Sequence, residues 1–197
     1  MRRVLLIATL TMLWAFTGGC YVLVTPPPRE CPIENLTLDE EPFPPGAIAG
    51  KILSPLPGAP IPRTSLESAG RTINYEYKGG ANHDIYRYKS EGRAAQEFKR
   101  RKELEFSTRQ WRGPWEIPNT LKYRSPIANR YYVACGMQNN VYMCKMIAQY
   151  EEYFVLFSAD MLPAAMTFED LEHVLRAIDE RMAQCLKKPL PPTYDRS

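Results

Sequence analysis

The residues able to do chemistry in this 197-residue chain are few, and their spacing decides what they can do. Cys135 and Cys144 flank an Asn139-Asn140 pair inside the run richest in strand-forming residues. A two-residue turn centred on those asparagines sets Gln138 opposite Val141, Met137 opposite Tyr142, Gly136 opposite Met143 and Cys135 opposite Cys144. Cross-strand pairs alternate between hydrogen-bonded and non-hydrogen-bonded, and 135/144 falls on the second kind, where Cβ atoms approach within disulfide range. His83 and His173 are the two histidines. His83 adjoins Asp84 in an alternating stretch, and neighbouring strand residues point to opposite faces, so the pair is poorly built as a general base with its orienting carboxylate. His173 falls between Glu172 and Val174 in a helical pattern, at the rim of a helix. No C-x-x-C occurs and the histidines lack paired ligand spacing, so neither a metal site nor a cofactor is expected. No nucleophile-elbow, zinc-protease, phosphate-loop or dinucleotide signature occurs, and a non-enzymatic protein is expected.

Two surfaces are candidates for binding. Tyr75 and Tyr77 share one side of the alternating run Thr72–Tyr77, and Tyr86 and Tyr88 share one side of Asp84–Tyr88. With Trp111 and Trp115 they would line a groove for a sugar or peptide, or else form a sheet face covered by helices. The second surface is Lys99, Arg100, Arg101 and Lys102, with Arg93, Arg109 and Arg112 near it in sequence. It suits anionic headgroups, acidic polymers or an acidic partner, or it is a solvated helix face. Glu97, Glu103 and Glu105 partly neutralise it.

Elements must position these groups. Ser90 caps a helix running to about Glu103, with a thin apolar stripe of Ala94, Ala95 and Phe98. Thr120–Arg124 reads as a strand. Val141–Asp160 exceeds one ordinary strand and divides at Gln149–Glu152, giving a meander with the strand before it. Thr167 and Asp170 form a capping box for a helix with Leu171, Val174, Leu175, Ile178, Met182 and Leu186 on one stripe. The prolines, 18 in all, cluster before residue 65, which reads as a linker with a short edge strand at Leu36–Leu38. The expected fold is α+β: an antiparallel sheet of about five or six strands with two helices on one face.

The N-terminus adds a compartment. Arg2 and Arg3 precede an uncharged apolar run from Val4 to Phe16, followed by Thr17-Gly18-Gly19-Cys20. This resembles the lipobox signal of bacterial lipoproteins, with Thr17 in place of the usual leucine. The resemblance implies removal of residues 1–19 and a diacylglycerol on the Cys20 thiol. A further acyl chain such as palmitate then joins the new amino group. Tyr21 rather than Asp after the cysteine resembles the signal for export to an outer membrane where one exists. With Cys20 assigned to lipid, Cys31 and Cys185 remain as a second disulfide, and no thiol nucleophile is left. Residues 20–70 then read as lipidated N-terminus and linker, 71–188 as the folded domain and 189–197 as a tail. Without Arg2 and Arg3, 23 basic residues face 22 acidic ones, a net of +1, so no nucleic-acid partner is expected. The sequence predicts an extracytoplasmic lipoprotein, membrane-held through its anchor, that binds an envelope protein or ligand. A structural cell-envelope protein is the alternative, and a small hydrolase is less favoured.

Overall fold

The Asn139-Asn140 turn forms as its residues require. Both asparagines take left-handed backbone, with φ of 50° and 65°, the conformation a tight two-residue hairpin demands at both central positions. The computed structural model describes residues 28–57, 65–76, 79–109, 111–163 and 165–191. The turn joins β4 (Arg130–Gln138) to β5 (Val141–Tyr150), and Cys135 pairs with Cys144 at a Cα separation of 4.0 Å. A second two-residue turn, with Glu151 also at positive φ, leads into β6 (Tyr153–Asp160) and completes the meander.

Two longer strands precede these, β2 (Ser65–Asn74) and β3 (Gly80–Tyr88), with a two-residue β1 (Ile48–Ala49) beyond them. The six strands lie in the order β1-β2-β3-β6-β5-β4, every neighbouring pair antiparallel. Helix α1 (Glu91–Glu105) crosses from β3 toward β4, with the Ser90 hydroxyl accepting from the Arg93 amide. Helix α2 (Phe168–Leu186) closes the fold behind a complete Thr167/Asp170 capping box. The antiparallel sheet, the helix pair and both cysteine pairs match the sequence expectation.

The helices do not share a face. Cys144, Met146, Ala148 and Tyr150 of β5 pack with Leu171, Val174, Ile178 and Met182 of α2. The alternate residue Ile147, with Tyr86, Tyr88 and Phe154, packs instead with Ala94 and Phe98 of α1. Successive strand side chains point to opposite sides, so the sheet is sandwiched between two helical layers. Every residue from Cys144 to Tyr150 is consequently buried.

The largest departure concerns the proline-rich region. The body begins by residue 29, not near Arg71, and its N-terminal part is a strap across the α2 layer. Ile33–Leu36 makes a 3-10 turn, and Ile33, Leu36, Leu38 and Phe43 sit in the main core. Proline forbids helix and ladder hydrogen bonds but not packing, and side chains between prolines can still be buried. Four such burials are worth roughly 6–12 kcal/mol in transfer free energy before chain entropy is set against them. Leu36–Leu38 is therefore a packed strap segment rather than an edge strand. Its backbone is held by side chains: Leu38 N–H donates to His83 Nδ1, while Arg71 donates to the Leu38 carbonyl and Arg181 to that of Thr37. Cys31 meets Cys185 near the end of α2, with Cα atoms 5.6 Å apart.

The segment expected as a strand at Thr120–Arg124 is irregular. Its shape follows from α2: Glu172 accepts from the Lys122 and Tyr123 amides, and Asp179 accepts from the hydroxyls of Tyr123, Ser125 and Tyr150. Just before it, residues 111–116 run along the outer edge of β4, with bridges Arg112↔Gln138 and Glu116↔Cys135. That edge is thereby covered.

Candidate functional site

The tyrosine surface expected from the sequence is interior. Tyr86 and Tyr88 are 3% and 1% exposed beneath α1, and Tyr75 is 8% exposed in the α2-side core. Tyr77 lies outside the described residues. Burial raises the phenol pKa of all three buried tyrosines. They form the covered sheet faces of the alternative reading.

The basic run survives in part. Lys99, Arg100 and Lys102 are exposed on the outer side of α1, with Arg93 about two turns before them. Arg101 is buried, 4% exposed, because three- and four-residue spacing puts it on the side of Glu97, Phe98 and Glu105. Two residues outside the run enlarge the patch: Lys89 just before the cap and Arg130 at the start of β4, whose guanidinium donates to the Ala95 carbonyl at 3.3 Å. Glu91 and Glu103 are the exposed acids on this helix. Lys102 Nζ lies 4.1 Å above the Tyr132 ring, and Arg100 makes a two-pronged contact with Glu97, so both cations are held in place.

Beneath that surface is a charged network. Arg101 bridges Glu97 at 3.2 Å and Glu105 at 2.7 Å; Glu105 also meets Lys145 at 2.9 Å and Arg112 at 3.2 Å. Burial by itself would raise the Glu105 carboxyl, but Lys145, Arg101 and Arg112 outweigh it and hold the group below the usual carboxylate range. Burial lowers the Lys145 ammonium, an effect Glu105 opposes. Asp84, on the same sheet face, is raised to about 6 by burial, with Arg101 pulling it down and Glu105 pushing it up. Trp115 stands over Gly136 and 5.2 Å from Lys145, closing the side of the network. Every charge in it but Asp84 has an opposite charge within contact distance, so its role is to fix α1 against the sheet with its outer cations in water.

The remaining candidates are dispersed. His83 and Asp84 point to opposite faces, as strand geometry requires. His83 is fully buried, and burial with the nearby Arg181 charge lowers its pKa to about 3. His173 is exposed and lines a shallow groove of about 360 Å³ with Glu41, Glu180 and Arg181; no hydrogen bond among the described residues joins it to either carboxylate. A cleft of about 580 Å³ lies between the strap and β2, lined by Arg29, Glu34, Ser54, Glu67, Ser68 and Arg87 among others. Its charges are already engaged: Arg29 with Glu151 and Glu152, and Arg87 with Glu67 and Glu152. Among the described residues no group of three metal-ligating side chains converges. Cys20 and the apolar run before it lie outside the described residues.

Sequence reasoning missed Arg130, which joins the basic patch only through the docking of α1, and Lys89, which directly precedes the helix cap. It also missed an apolar cluster around the Asn139-Asn140 turn, where Trp111, Met137, Val141 and Tyr142 are 59%, 42%, 37% and 40% exposed. The pairing of Met137 with Tyr142 was legible; the exposure was not. No family model, no curated protein and no solved structure matches this chain.

Proposed function

We propose that this chain is an extracytoplasmic lipoprotein, anchored through Cys20, whose domain acts by binding at the cell envelope rather than by catalysis. The observation that carries the reading is the state of the other four cysteines. They form two pairs, Cys31–Cys185 and Cys135–Cys144, and both pairs are integral to the main core. Such bridges persist outside the reducing cytoplasm, and an exported domain fits the lipobox-like start of the chain. The basic outer side of α1 is the binding surface this reading favours. It is held rigidly by the network beneath it, and a preorganised surface binds at lower entropic cost.

Metabolic labelling with a radiolabelled fatty acid tests the anchor. Label should appear on the wild-type chain in the membrane fraction and vanish in Cys20→Ala. An unlabelled wild type, or equal label on the variant, refutes it. Cysteine alkylation before and after reduction tests the compartment. The four other thiols should react only after reduction, and free thiols in the native protein would remove the support for export.

A further inference from the structure

We infer that the outer side of α1, with Arg130 beside it, is a membrane-apposition surface that lies against anionic lipid headgroups. The inference rests on the proposed anchor and names the partner of the basic surface. Three observations carry it. The first is composition. Arg93, Lys99, Arg100 and Lys102 are exposed on α1, and no exposed residue of that helix is apolar. Protein interfaces are depleted in lysine and centre on buried aromatic or apolar anchors, which this surface lacks. A planar field of headgroup charges needs no such anchor. It attracts clustered cations from a distance, and without apolar side chains the helix adsorbs rather than inserts.

The second observation is placement. Eight residues, Tyr21 to Pro28, separate Cys20 from Arg29, a contour of at most about 30 Å. Arg29 is fixed to the β5–β6 turn through Glu151 and Glu152. Gln149, beside that turn, donates both to the Glu151 carbonyl and to that of Glu91 in the first turn of α1. The tether and the start of the basic helix therefore leave the same end of the sheet, and the headgroups lie within reach of the helix.

The third is asymmetry. Among the described residues the opposite layer carries no comparable excess: its exposed cations Lys122, Arg124, Arg176 and Lys187 are offset by exposed Glu169 and Glu180, and the strap sets Glu30, Glu40 and Glu41 against Lys51. An anionic plane thus has one preferred side of the domain to attract.

Vesicle co-sedimentation tests this with the chain lacking residues 1–19 and carrying Cys20→Ser, which keeps every described residue but cannot be acylated. Vesicles are phosphatidylcholine alone or phosphatidylcholine with phosphatidylglycerol. Each cation beside an anionic surface is worth roughly fivefold in partitioning. Binding should be at least ~10-fold stronger to the anionic vesicles, fall as salt is raised, and drop at least ~100-fold in Arg93→Glu/Lys99→Glu/Lys102→Glu. Glu40→Lys/Glu41→Lys should not weaken it. If the triple variant fails to fold, Lys99→Glu alone should still cost at least ~5-fold. Equal binding to both vesicle types, or no loss on charge reversal in a folded variant, overturns the inference. So does binding of wall polymer or an acidic protein through this side with no binding to anionic vesicles. Because the test chain has no acylation site, a failure here is separate from a failure of fatty-acid labelling.

Discussion

Acidification should loosen the strap through His83, and the size of the effect follows from its surroundings. The imidazole is fully buried; Nδ1 accepts the Leu38 amide, so the hydrogen sits on Nε2, which finds no acceptor among the described residues. Protonation would put a hydrogen on the nitrogen that holds the strap. It would also add a cation between Arg71, which faces His83 across β2 and β3, and Arg181, which binds the Thr37 carbonyl and Asp39. The folded protein therefore resists protonation down to about pH 3, whereas the unfolded chain takes up the proton near the ordinary 6.5. Below 6.5 the unfolded state binds more protons, so stability is full above that value and lost as pH falls toward 3. The slope is about 1.4 kcal/mol per pH unit, or ~5 kcal/mol across the whole interval.

Denaturant melts of the wild type and His83→Asn between pH ~7.5 and ~4.5 isolate this contribution. Asparagine keeps an acceptor for the Leu38 amide but does not titrate. At the upper pH the variant should be less stable by about 1–3 kcal/mol, from lost ring packing. Toward the lower pH the wild type should lose ~2–3 kcal/mol more than the variant. Asp39, Glu105 and Glu151, all held below the usual carboxylate range, add acid sensitivity to both proteins and cancel in the difference. Parallel pH dependences would refute the strap–histidine contact.

Two further outcomes follow from the same packing. Replacing Cys31 and Cys185 by serine removes a bridge between residues 154 apart, which should cost ~4–5 kcal/mol by chain entropy and open the strap to proteases before the sheet melts; an unchanged digestion pattern would show that the buried apolar residues hold the strap unaided. Gly136→Ala would place a Cβ 2.4 Å from the Pro114 carbonyl oxygen, a backbone atom that cannot turn aside. It should cost about 1–3 kcal/mol and increase amide exchange along residues 111–116, and a neutral substitution would mean that this segment does not cover the β4 edge as described.

The sequence was most legible where geometry is local. A two-residue turn fixes register, so Asn139-Asn140 determined which residues face across β4 and β5, including the cysteines. Thr167 and Asp170 marked the start of α2 because both act on backbone within one turn. Side assignment needed more. Cys144-Lys145-Met146-Ile147-Ala148-Gln149-Tyr150 shows no alternation, and a strand covered on both faces loses its alternation. The second helical layer was written there, obscured by Lys145, whose ammonium pairs with Glu105, and by Gln149, whose amide nitrogen donates to backbone carbonyls. The basic run was overcounted for a related reason. Glu97, Arg101 and Glu105 at four-residue spacing form a ladder along one side of α1, which assigns Arg101 to the interior with its carboxylates. The strap was hidden because proline marks what the backbone cannot do and says nothing of where Leu36 and Leu38 are buried.

That strap changes what an anchor at Cys20 would accomplish. A flexible fifty-residue linker has a root-mean-square reach of about 40 Å and a contour beyond ~150 Å, enough to hold a domain well clear of its membrane. With the body starting at Arg29, the contour falls to about 30 Å. Strands of ten residues span about 33 Å, comparable to the tether itself. The domain would therefore stay within roughly one body length of the lipid. In either orientation its charged surfaces sample the headgroup region, and the apolar cluster at Trp111 and Met137, on the hairpin end opposite the Arg29 contact, is the part free to meet molecules beyond it. Restoring a long linker by inserting flexible residues between Pro28 and Arg29 would uncouple these two ends. Weaker salt-dependent retention of the anchored domain at the bilayer, with its fold intact, is the expected consequence.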